Sequence, residues 1–149
     1  MPHLQTRVAF LPFGPKSLKT LKPTVWKRHP ATLGDHLLKH RIAQGLLQRD
    51  LRKRFKLEKE TYANWEKDRR YPAMKHWPGI IAFLGYDPTP DPTTLGQQLL
   101  AHRRRHGLSR KDLAVSLGVD ETTLWRWEID ERKPHGETHD NVIRQLSLI

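Results

Sequence analysis

A chain of 149 residues with 36% apolar side chains can bury one or two small cores, which leaves little room for a large enzyme cleft. Lys and Arg number 27 against 16 Asp and Glu, a formal net charge of +11 and a pI near 10.3, so a polyanion, nucleic acid first, is the expected partner. The absence of Cys excludes disulfides and thiolate metal sites, and with no apolar run of roughly 20 residues and no signal-like core the expected location is cytoplasmic and nucleoid-associated, with no membrane partner.

The charge is uneven along the chain. Residues 1–31 carry +6 with no acid, residues 32–93 carry +4 and residues 94–149 carry +1. The first stretch holds Arg7, Lys16, Lys19, Lys22, Lys27 and Arg28 among five prolines, and reads as an extended basic arm.

From Thr32 the pattern changes. TLGDHLLKHR at 32–41 returns as TLGQQLLAHR at 94–103, an offset of 62 that continues without a gap through Gly45 and Gly107, Asp50 and Asp112, Trp65 and Trp127, Glu66 and Glu128, and Pro72 and Pro134. The expected organisation is the arm, a first unit at 32–86, a linker at 87–93 and a second unit at 94–149. In each unit a Thr with an acceptor three residues on (Thr32 and Asp35, Thr94 and Gln97) is an N-cap signal. A first amphipathic helix follows, with Leu33, Leu37 and Leu38, or Leu95, Leu99 and Leu100, facing inward. Gly45 or Gly107 then stands where a left-handed cap is expected.

The next segments read as two short helices around a tight turn. In the first unit the apolar positions are Leu51, Phe55, Leu57, Tyr62 and Trp65; in the second they are Leu113, Ala114 and Leu117, then Leu124 and Trp127, around Gly118-Val119 with Asp120 as the next cap. Ile80, Ile81, Phe83 and Leu84, or Val142, Ile143 and Leu146, supply a closing helix. The linker lies in DPTPDPTT at 87–94, whose three prolines favour a semi-rigid extended spacer of about 20 Å. The fold class is therefore all-α.

SRKDLAVSLGVDETTLWRWE, Ser109 to Glu128, resembles the helix-turn-helix of phage-repressor (Xre-like) transcription regulators, and the likeness extends over both repeats. Ala114 stands where that family keeps a small residue at the helix crossing, and Gly118 where the turn needs positive φ. The resemblance implies a double-stranded DNA-binding regulator, of repressor type, whose two recognition helices occupy successive major-groove half-sites. It implies no cofactor, no metal and no small-molecule substrate, and it allows a homodimer.

Carried onto these residues, the implied base-reading positions are Glu121, Thr122, Trp125 and Arg126 in the second unit and Gln48, Lys59, Glu60 and Asn64 in the first. For Trp125, contact with a thymine methyl and packing against the other repeat are both open. Implied phosphate contacts are Arg49, Arg52, Lys53, Lys56, Lys67, Arg69 and Arg70, then Arg110, Lys111, Arg132 and Lys133, with Lys16, Lys19, Lys22, Lys27 and Arg28 of the arm reaching an adjacent minor groove. The pairs Arg41 with Glu66 and Arg103 with Glu128 are expected to be structural.

The first unit breaks the family pattern. Arg52 replaces the small residue and Lys56 replaces the turn glycine, while Asp68 and Asp130 stand where the family often has Gly. A competing function is therefore an interaction or accessory module, antitoxin-like or serving recombination, in which the first unit is only a non-specific clamp. His36/His40, His102/His106 and His135/His139 are each four apart, but no pair brings the third ligand zinc requires. With no nucleophile motif and no phosphate-cradling glycine loop, an enzyme is not expected.

Overall fold

The computed structural model describes residues 29–147. The arm cations Lys16, Lys19, Lys22, Lys27 and Arg28 lie outside the described residues. Among the described residues every regular element is helical, and no helix is long and apolar enough to cross a membrane. The α-helices are α1 (Leu33–Ala43), α2 (Gln48–Arg54), α3 (Thr61–Glu66), α4 (Trp77–Leu84), α5 (Leu95–His106), α6 (Arg110–Leu117), α7 (Glu121–Glu128) and α8 (Gly136–Ser147), with a 3-10 turn at Met74–His76 before α4.

The caps have direct chemical causes. The Thr32 hydroxyl accepts from the Asp35 amide at 3.1 Å while the Asp35 carboxylate accepts from the Thr32 amide at 3.3 Å. Thr94 likewise accepts from the Gln97 amide at 3.2 Å, but the Gln97 side chain reaches one residue further back, to the Thr93 amide at 2.8 Å. Each cap supplies partners for amides that have no carbonyl within the helix, and is typically worth about 1 kcal/mol. Gly45 and Gly107 end α1 and α5 at φ 67° and 66°, in the left-handed region.

Two hydrophobic cores form at the same offset as the sequence repeat. Leu37, Leu51, Tyr62, Trp65, Ile80, Phe83 and Leu84 make the first; Leu99, Leu113, Ala114, Leu117, Leu124, Trp127 and Val142 make the second. Burying one such side chain fully contributes about 1.5–3 kcal/mol. Leu38 and Leu100 depart from the expected inward face, since both are half-buried and outside the cores. Ile143 is 41% exposed because α8 turns only Val142 fully inward.

The first core buries Tyr62, Trp65 and Phe83, where the second has Trp127 as its one buried aromatic. Phe55 stacks on Tyr62 with ring centroids 6.1 Å apart and meets Phe83 edge-on at 6.2 Å. Gly79 leaves the space for it, since a Cβ there would stand 3.1 Å from the Phe55 ring.

The proline linker does not hold the units apart. Trp77, wholly buried yet outside both cores, lies with the Arg104 guanidinium 5.4 Å from its ring centroid, and Pro78 is tight enough against Gly107 that a Cβ there would lie 3.1 Å from its Cγ. Thr89 is tied both to its own linker and to α5: its amide donates to Asp87 at 3.0 Å, and its hydroxyl accepts from Arg104 Nη2 at 2.9 Å. The spacer is thus fastened down rather than spanning a gap.

Candidate nucleic-acid interface

In the second half, α6 ends at Gly118 with φ 69° and Asp120 starts α7 by accepting from the Thr123 amide at 2.8 Å. Hydrogen bonds from Thr123 hold the Asp120 carboxyl below its ordinary range, and Ser109 does the same for the Asp112 that caps α6. Both caps therefore stay ionised at the positive ends of their helices. Leu124 and Trp127 face the core, which leaves Glu121, Thr122 and Trp125 exposed on α7.

These outward residues divide into two groups. Glu121, Thr122 and Trp125 line a shallow notch with Arg110 at the start of α6. Arg126 instead lines a broader groove with Thr123, Glu131, Arg132 and Lys133, its Nε 3.9 Å from the Glu131 carboxylate. Trp125 is 41% exposed beside its own helix neighbours, so the alternative of burial against the other repeat does not hold. Lys111, Arg132 and Lys133 are exposed at the two ends of the helix pair.

Beneath this face lies an ion-pair network repeated in both halves. Arg103 Nη1 donates to both Glu128 oxygens at 2.8 and 3.0 Å, and Arg110 Nε donates to Glu128 at 3.0 Å. Arg41 pairs with Glu66, with Nη2 to Oε2 at 3.1 Å, and Gln48 Nε2 donates to the same oxygen at 2.6 Å. Thus Gln48 is an exposed residue anchored by one amide proton, and among the described residues its carbonyl oxygen makes no hydrogen bond. The Arg–Glu pairs are structural, joining the first helix of each unit to the end of α3 or α7.

The first half differs at the residues expected to read bases. The residues Lys59 and Glu60 were expected on the recognition helix, yet α3 begins only at Thr61. Glu58 stands where the second half has Asp120, no side chain caps α3, and Glu60 takes φ 71° just before it. The longer acid gives no short cap, so the first turn opens and Lys59 and Glu60 become exposed loop residues. Asn64 remains on α3, half-buried. Lys56 adopts the left-handed turn at φ 52°, which costs a non-glycine residue on the order of 1 kcal/mol, and Arg52 stays half-exposed at the crossing that Ala114 closes in the other half. Arg49, Lys53, Lys67, Arg69 and Arg70 are all exposed.

Two features were not picked out from the sequence. Asp68 and Asp130 accept hydrogen bonds from the capping Thr32 and Thr94 hydroxyls at 2.6 and 2.7 Å, from left-handed positions at φ 52° and 57°. Gly34 and Gly96 let the first helix approach that loop: a Cβ on Gly34 would lie 2.6 Å from the Glu66 carbonyl oxygen, and one on Gly96 within 2.8 Å of the Glu128 oxygen and nearer still to that of Trp127. The recurrence of Thr, Gly and Asp at one offset was the available signal. It ties the entry of each unit to the end of α3 or α7.

Of the histidines, His36 bonds Tyr86 at 2.7 Å and His102 lies against His106 with ring centroids 4.5 Å apart. Burial, then the neighbouring His106 and Arg105, pushes the His102 pKa down. Among the described residues no three His, Asp or Glu side chains gather as metal ligands would. Compared with protein-family models, curated proteins and solved structures, the chain matches none.

Proposed function

We propose that the chain is a double-stranded DNA-binding transcription regulator, with base reading concentrated in its second half. The observation that carries this reading is the setting of α7: a capped helix whose exposed residues share a notch with Arg110, with Lys111 exposed at one end of the helix pair and Arg132 and Lys133 at the other. A helix presenting polar side chains to base edges, with cations at its ends for phosphates, is what major-groove recognition requires. The net charge of +11 supports the same partner through counterion release.

The first half supports a narrower role. Its α3 lacks the first turn on which Lys59 and Glu60 would have been presented, while Arg49, Arg52 and Lys53 of α2 and Lys56 just after it are exposed or half-exposed cations. We assign it a clamp that adds affinity, with its sequence preference limited to adenine contacts from Gln48 and Asn64. Repression by occupying a promoter is the mechanism proposed.

The test is selection of bound duplexes from a random pool, with binding measured across salt concentrations. Arg126→Ala should relax the selected sequence, whereas Arg52→Ala should weaken binding to all duplexes and flatten the salt dependence by about one ion. Failure of the chain to bind any duplex in a salt-sensitive way would refute the reading and favour an interaction module.

A further inference from the structure

Building on the DNA-binding role of α7, we propose that Arg110 reads a guanine base, rather than serving as one of the phosphate contacts. The Glu128 side chain is 4% exposed and shared by two guanidinium groups. Arg103 is 7% exposed and spends its donors inside the fold, on Glu128 and on the Leu108 carbonyl at 3.2 Å. One carboxylate between two guanidinium groups leaves a single positive charge uncancelled. It belongs to Arg110, the partner that reaches solvent at 33% exposure.

Only the Nε of Arg110 is engaged, at 3.0 Å from Glu128; among the described residues its Nη1 and Nη2 make no hydrogen bond. Those two nitrogens present the parallel donors that match guanine O6 and N7. Fixing Nε removes rotamer freedom before binding, so less is lost when the base contact forms. Arg110 also lines the notch with Glu121, Thr122 and Trp125, the face that would lie against base edges, while the adjacent Lys111 stands exposed outside the notch as a plain cation.

The repeat supplies a second line of argument. Gln48 occupies the equivalent slot in the first half and is anchored by Glu66 in the same manner, at 2.6 Å. A Gln held by one amide proton presents a donor and an acceptor, the pattern of adenine, where Arg presents two donors. One position of the repeat thus specifies different bases according to which side chain the buried Glu holds.

The experiment compares duplexes selected by the full-length wild type, Arg110→Gln, Arg110→Lys and Lys111→Ala. Gln already fills this slot in the first half, so the fold is expected to accept it, and thermal unfolding checks that it does. Arg110→Gln should change one selected base pair from guanine toward adenine, shifting discrimination there by roughly 5- to 150-fold. Arg110→Lys should lose the preference without gaining another, and Lys111→Ala should keep the selected sequence while reducing the salt slope by about one ion. If Arg110→Gln and Arg110→Lys leave the selected sequence unchanged and weaken every duplex alike, the inference is overturned while DNA binding stands. If the wild type selects no sequence and binds no duplex, both fall together.

Discussion

Replacing Trp77 with Ala tests whether the two halves unfold as one body. The side chain is wholly buried and belongs to neither core, with Arg104 stacked 5.4 Å from its ring centroid. An indole buries roughly 150–250 Å², and at about 25 cal/mol per Å², less the area Ala would retain, its removal should cost about 3–5 kcal/mol, the usual range for Trp→Ala in a packed interior. Losing the Arg104 stack adds about 0.5–1 kcal/mol. For a chain of this size that corresponds to a fall in Tm on the order of 10 °C. Because the loss falls on the contact between the cores, scanning calorimetry should also resolve a single wild-type transition into two in Trp77→Ala. The calorimetric enthalpy would then exceed the van't Hoff value. A variant that melts in one transition within about 2 °C of wild type would refute the coupling.

Other consequences can be checked by similar means. Gly96→Ala forces a methyl group against the carbonyl oxygens of Trp127 and Glu128 and should destabilise by about 1–3 kcal/mol, seen as a lower urea midpoint with unchanged slope. Glu128→Gln leaves the nearly buried Arg103 without its counter-charge, and should cost about 3–5 kcal/mol in the same assay. His102 has its pKa lowered by burial below the ordinary 6.5, so the unfolded chain binds the proton more readily. The stabilisation from its neutral form is therefore present above pH 6.5 and is lost as pH falls below it toward the folded value. His102→Gln should reduce the decline in Tm between pH 7.5 and 5.5, and an unaltered decline would assign the effect elsewhere.

The all-helical class, the caps and most of each core were legible because they depend on local spacing. Thr32, Asp35, Leu37 and Trp65 each carry their meaning within a turn or two of helix. The contact between halves was not legible, because it rests on the residues where the repeat fails: Trp77 and Pro78 correspond to His139 and Asp140 at the same offset. The prolines read as a short semi-rigid spacer, and only the fold shows Thr89 and Arg104 holding it against α5. Asp68 and Asp130 read as tolerated replacements for glycine, since only the fold brings the Thr32 and Thr94 hydroxyls to their carboxylates. The shortened α3 could have been anticipated from Glu58, which adds one methylene where Asp120 makes a cap. Arg110 drew attention only as a charge; its restraint by Glu128 appears once the helices are assembled.

The seat of Trp77 between the two cores bears on the DNA helix as well as on the protein. Under the proposed function, a wedge that locks one half against the other also locks the angular phase between their contacts. Duplex DNA turns roughly 34–36° with each base pair. Lengthening the gap between the two contacts by one pair would rotate the second patch away, and a fastened chain has no slack with which to follow. Such a protein would respond to the torsional state of its binding site, favouring a duplex whose winding matches its own fixed angle.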